Sequence, residues 1–215
     1  MRYQRMLLPL SILVCAMLQA GCERYPDAID VPEDLAGAGI LGFSALHGGR
    51  YIIALEQRVL VYNRSAGWEH APLAATGNAP AYRSGGPWQA GDVSIALRAG
   101  RLVRRQQGLG DWTPVLLDNG NSPTVLVDAT FQANWPRHAE AREPQVDGNA
   151  SGYAISGDGT LWRVLLDEER RRAALRPMAS LAAGWEPLAL SRAPNGPVAV
   201  LARRGGQVRI FLLER

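Results

Sequence analysis

The stretch IIALEQRVLVYNRSAGWEHAPL, which begins at Ile52, returns in altered form as SIALRAGRLVRRQQGLGDWTPVL from Ser94. Each copy runs through an apolar segment, a short polar turn, a second apolar segment, a loop, a tryptophan and a proline. Ile53-Ala54-Leu55 aligns with Ile95-Ala96-Leu97 and Leu60-Val61 with Leu102-Val103 at a spacing of 42 residues, and Trp68 aligns with Trp112 after a short insertion. Apolar runs this short, bounded by turn residues, read as strands of hairpins rather than as helices. Two further segments follow the same logic. GYAISGDGTLWRVLLDEERRRAALRPM has Asp158-Gly159 between its runs, and EPLALSRAPNGPVAVLARRGGQVRIFLLER has Asn195-Gly196 and Gly205-Gly206. Such pairs supply the positive φ angles that tight hairpin turns need.

YIIAL and PVAVL are apolar at consecutive positions, so both faces of those strands are expected to be buried; a one-sided sheet would alternate. Sheets stacked face to face bury both sides, and a repeat of about 42 to 45 residues suits one four-stranded blade. SGDGTLWRV also resembles turns in many β-propeller repeat families, and WEH, DWTP and GWEP are similar to their recurring tryptophans. The expected fold is all-β, a small β-propeller-like domain of about four blades over residues 40–215. Residues 121–149 fit the repeat poorly. If they are an insertion, a β-sandwich or irregular barrel is the alternative.

The N-terminus has another character. MRYQR carries Arg2 and Arg5, an apolar run too short to cross a bilayer comfortably follows, and small residues lead to Cys22. That is the layout of a signal peptide, here residues 1–21. Leu18, Ala20, Gly21 and Cys22 resemble the lipobox of bacterial lipoproteins, with Gln19 where leucine is usual. The resemblance implies that Cys22 is diacylated and becomes the new N-terminus. It also implies a lipid-anchored protein facing the periplasm, and Glu23 after the cysteine favours the outer over the inner membrane. Cys15 would leave with the signal, so no disulfide is expected in the mature chain. Residues 22–39, with Glu23, Asp27, Asp30, Glu33 and Asp34 among prolines and glycines, read as an acidic tether. The competing reading is an ordered N-terminal strand that closes the domain from its far end.

Charge narrows the classes of function. All 23 basic residues are arginine, so lysine chemistry is excluded. Loss of Arg2 and Arg5 leaves 21 basic against 20 acidic side chains, a balance that gives no support to nucleic-acid binding. His47, His70 and His138 lie far apart without metal-ligand spacing, and no nucleophile elbow, P-loop or dinucleotide fingerprint is present. No metal or cofactor is expected. Asp118-Asn119-Gly120, Asp147-Gly148-Asn149 and Asp158-Gly159 read as turns.

Trp68, Trp112, Trp162 and Trp185 are expected in the core between blades. Trp88 and Trp135 fall outside the hairpins and are candidates for partner contact. Among the clustered arginines, Arg104, Arg105, Arg171 and Arg172 are candidates for a rim that meets an anionic partner. These observations fit a lipid-anchored periplasmic binding or scaffolding module that contacts another envelope protein. The alternatives are an inhibitor or immunity protein against a cell-wall hydrolase, and a sugar-active enzyme. The last would need two carboxylates at suitable separation. Asp92, Asp111, Asp128, Glu143, Asp147 and Asp158 are available, without a reason to pair any two.

Overall fold

The computed structural model describes residues 28–32, 35, 39–46, 48–56, 58–72, 86–90, 92–106, 110–118, 125–131, 151–167, 169–193 and 196–213. Its strands are β1 (Ala28–Asp30), β2 (Ile40–Leu46), β3 (Arg50–Leu55), β4 (Arg58–Asn63), β5 (Gly67–Pro72), β6 (Trp88–Ala90), β7 (Val93–Arg98), β8 (Arg101–Gln106) and β9 (Thr113–Pro114). They continue with β10 (Leu116–Leu117), β11 (Leu126–Phe131), β12 (Ser151–Ser156), β13 (Thr160–Leu166), β14 (Arg172–Ser180), β15 (Glu186–Arg192), β16 (Val198–Arg204) and β17 (Gln207–Leu213). No described residue is in an α-helix.

The strands form four sheets, and the architecture is a four-bladed β-propeller. Blade 1 is β2-β3-β4-β5 and blade 2 is β6-β7-β8-β9. Blade 3 is β11-β12-β13-β14 with β10 added in parallel at its outer edge, and blade 4 is β15-β16-β17 with β1 added antiparallel. The inner strand β15 packs against β11 on one side and β2 on the other.

Period-2 geometry explains why the consecutive apolar runs suit this ring. Val198 to Ala202 in β16 are all buried. Ala199 and Leu201 point into a cluster shared with Phe43, Tyr51, Ile53 and Leu60 of blade 1, whereas Val198, Val200 and Ala202 join Ile155 and Leu161 of blade 3. A third cluster joins Val93, Ile95 and Leu102 of blade 2 to Phe131, Ala154 and Val164 of blade 3. Each fully buried Leu, Ile or Val stabilises the fold by about 1.5–3 kcal/mol before entropy is counted.

Two side chains add polar clamps between inner strands. Ser191 of β15 accepts the Ala45 N–H of β2 at 2.8 Å. Asp128 of β11, 1% exposed, accepts the N–H of Ala129 at 2.8 Å and the Leu190 N–H of β15 at 2.7 Å.

Within residues 22–39, read as a tether, the described residues 28–32 and 35 belong to the fold instead. Ala28, Ile29 and Asp30 pair with Phe211, Ile210 and Arg209, and the Val31 N–H donates to Val208 O at 3.0 Å. Val31 and Leu35 are buried in the cluster between blades 4 and 1. Asp30 pairs with Arg209, and its carbonyl accepts the Trp68 indole N–H at 2.8 Å. An acidic, proline-bearing stretch becomes structure here because an open sheet edge and an apolar slot are available to it. Of the segment 121–149, residues 126–131 supply the inner strand of blade 3, and 132–149 lie outside the described residues.

Candidate functional site

On β8 the sequence RLVRRQ alternates between two faces of blade 2. Leu102 points into the seam with blade 3, and Arg104 and Gln106 continue that face at the end of the strand. Arg105 falls on the opposite face with Ser94, its register partner, and with Arg98 and Arg101. Two adjacent arginines are therefore sent to different environments. The Arg105 and Arg98 guanidinium groups lie 4.9 and 4.7 Å from the Trp112 ring centre, within cation–π range.

Arg104 instead meets the β13–β14 turn of blade 3. Asp167 organises that turn: its Oδ1 accepts the N–H groups of Arg171 at 2.6 Å and Arg172 at 3.1 Å, and its carbonyl accepts the Arg170 N–H at 3.0 Å. Arg170 takes a positive φ of 54°. The Arg104 Nη1 donates to the Glu169 carbonyl. Between the two blades lies a polar cleft of about 250 Å³, lined by Asp92, Val93, Arg104, Gln106, Glu169, Arg170 and Arg171.

Of the four candidate arginines, the cleft joins Arg104 and Arg171. Arg105 stacks on Trp112, and Arg172 reaches Asp118 at 3.8 Å outside the cleft lining. Within the cleft Glu169 pairs with Arg171 at 3.1 Å; both side chains are largely exposed, so the pair adds little stability and leaves the guanidinium open to exchange partners. Asp92, Gln106, Glu169 and Arg170 complete a site that no local motif marks. The signal in the sequence is the recurrence of arginine at the same end of two hairpins.

Trp88 is not a fully exposed contact. It is half-buried, its ring centre 5.1 Å from that of Phe131, and it packs on the cluster between blades 2 and 3. Trp135 lies outside the described residues, as do Cys22, His47, His138, Glu143 and Asp147. His70 is exposed on β5. Trp185 is buried, Trp68 and Trp162 pack on the core clusters, and Trp112 is held between arginines rather than among apolar residues.

The remaining described carboxylates do not converge. Asp128 sits in a strand, not a loop, and clamps blades 3 and 4. Asp158 serves its own turn. It accepts a hydrogen bond from the Ser156 hydroxyl and the Thr160 N–H at 3.0 Å, and these bonds, that of Ser156 foremost, hold its pKa below the ordinary carboxylate value. Ser156 Oγ in turn accepts the Trp162 indole N–H at 2.8 Å. Among the described residues no cluster of three or more His, Cys, Asp and Glu is placed to hold a metal.

The end of the propeller that bears the cleft is rich in arginine. There the turns of blades 1 and 4 add Arg50, Arg64 and Arg192, and the described carboxylates are Asp92, Asp111, Asp118, Asp167 and Glu169. At the opposite end Arg203 pairs with Glu186 at 2.8 Å, and Arg204 lies 4.8 Å over Trp185.

The sequence matches no family model and no curated protein. Solved structures with some likeness include YCF48 from Cyanidioschyzon merolae, 15% identical with a TM-score of 0.34, covering 81% of this chain and 51% of that one. A second is the Bacteroides ovatus xyloglucan PUL GH43B, 16% identical with a TM-score of 0.32, covering 85% of this chain and 40% of that one. A third is PorZ, a surface component of the type-IX secretion system of Porphyromonas gingivalis, 12% identical with a TM-score of 0.27, covering 83% and 21%. The chain spans about half or less of the length of these proteins. Its class, a four-bladed propeller, rests on its own sheets.

Proposed function

We propose that this protein is a non-catalytic binding or scaffolding module, anchored by lipid on Cys22 and facing the periplasm, with the outer membrane as its site. Its partner is an envelope protein that offers carboxylates to the cleft between blades 2 and 3. The observation that carries this reading is the meeting of Arg104 and Arg171, from hairpins of different blades, in one concave polar site. Guanidinium groups pair bidentately with carboxylates, and a rigid propeller holds two of them at fixed separation.

Charge reversal at Arg171 tests the cleft, because that side chain is exposed and its loss should leave the fold intact. Affinity capture from envelope extracts by the wild type is expected to retain a resident envelope complex, and Arg171→Glu to reduce that retention at least tenfold. Capture of a lysozyme-like hydrolase instead would make the protein an inhibitor, and equal capture by both forms would remove the cleft from the account. The anchor has its own test: Cys22→Ser should move the protein from the membrane fraction to the soluble one.

A further inference from the structure

The path of β1 fixes where an anchored chain enters the propeller. Ala28 pairs with Phe211 near the end of β17, so residues before Ala28 approach the end at which the inner strands finish. That end carries the arginine cleft and the exposed turn residues Arg50 and Arg64. Only Glu23 to Asp27 separate Cys22 from β1. Six Cα steps at about 3.3–3.6 Å each reach roughly 20 Å at full extension.

We infer that this end of the propeller lies against an anionic lipid surface, with Arg50, Arg64 and Arg171 facing the headgroups. The inference rests on the acylation of Cys22 proposed above. Strands of six or seven residues make the ring about 20 Å deep. The opposite end therefore sits well beyond the screening length of about 8 Å at physiological salt, and only the near end feels the surface charge. The far end also carries arginines, Arg58, Arg98 and Arg101 beside the Glu186-paired Arg203 and the Trp185-stacked Arg204, so it is the entry of the anchored chain through β1 that selects the near end. A diacylated Cys22 would hold the chain at the bilayer by itself, so the arginines would set orientation rather than attachment. A protein that uses the cleft would then meet it at the bilayer surface.

The mature chain would hold no thiol beyond Cys22, so an introduced cysteine can be labelled alone. Ser65→Cys places a fluorophore in the exposed β4–β5 turn at the near end. Gly206→Cys places one in the β16–β17 turn at the far end, where a Cβ meets nothing within 4 Å. With the acylated protein in vesicles of anionic lipid bearing a headgroup quencher, the label at 65 should be quenched at least threefold more than that at 206. Arg64→Glu with Arg171→Glu should narrow the ratio, as should zwitterionic vesicles. Equal or reversed quenching on vesicle-bound protein overturns the orientation, and a ratio indifferent to both charge changes overturns the role of the arginines. A ratio that arises only when envelope proteins are added replaces the lipid surface with a protein partner. Failure to associate with vesicles at all overturns the anchor itself.

Discussion

The seam between blades 4 and 1 and the seam between blades 1 and 2 belong to one ring but are built from different chemistry. In the first, alternate residues of β3 and β16 interlock with Val31 and Leu35, and Ser191 ties β15 to β2. In the second, blade 1 offers the buried Ile52, Ala54 and Val59, whereas the facing side of blade 2 presents Ser94, Ala96, Arg98, Arg101, Val103 and Arg105. Among the described residues no apolar cluster spans that seam. Blade 2 also has the shortest flanking strands, three residues in β6 and two in β9. Closure of the ring is thus concentrated where β1 pairs with β17, and the face that blade 2 turns toward blade 1 carries three arginines, Arg98, Arg101 and Arg105. Charged side chains are accommodated where burial is incomplete, since an unpaired buried guanidinium would cost far more than the packing gained.

The largest effect is expected from the closing seam. Leu35 is 1% exposed, and Leu35→Ala should lower stability by about 2–5 kcal/mol through lost burial and a cavity. Denaturant midpoints of the two proteins check this, and a change below 1 kcal/mol would mean that residues 31–35 are not part of the core. Next comes the clamp between blades 3 and 4. Asp128→Ala leaves the Leu190 N–H without this acceptor in a buried site, a loss of about 1–3 kcal/mol. Asp128→Asn, which keeps one acceptor oxygen, should recover part of it. On blade 2 a smaller change is expected: Trp112→Ala removes the stacking of Arg98 and Arg105 and should cost about 0.5–1 kcal/mol. A loss as large as that of Leu35→Ala would erase the contrast between the seams.

The smallest effect is pH-dependent. Because the folded-state pKa of Asp158 is depressed, its carboxylate stabilises the fold above the ordinary carboxylate range, and that contribution fades as pH falls through about 4 toward the lower folded value. Thermal melts of wild type and Asp158→Asn should differ at pH 7 and converge below pH 4. A difference that persists in acid would point to the turn geometry rather than the charge.

Local turn chemistry made the hairpins legible. Gly159 adopts φ of 83° after Asp158, and Gly205 adopts 57°, as their dipeptides imply. The repeat spacing likewise gives the blade count, because each blade is one local unit. What local pattern does not carry is pairing between distant segments. Ala28–Asp30 is a three-residue edge strand whose partner lies at the other end of the chain, too short to carry a strand signal of its own, so a closing N-terminal strand stands only as the alternative to a tether. Asp128 does leave a trace, a lone acid within the apolar run VLVDATF, where a buried carboxylate needs donors supplied by the fold. The arginine clusters are visible in sequence, but their sorting is not. Strand parity sends Arg104 to the cleft and Arg105 to Trp112, and the blade order brings Arg171 to Arg104.

Residue-resolved hydrogen exchange tests most directly that the ring is keyed shut by its N-terminal strand. The amides of Val31, Ala45 and Leu190, bonded to Val208, Ser191 and Asp128, should exchange near the rate set by global unfolding, at least tenfold more slowly than amides of β6 and β9. Exchange of Val31 at the rate of a free chain, with β16 still protected, would contradict closure by β1.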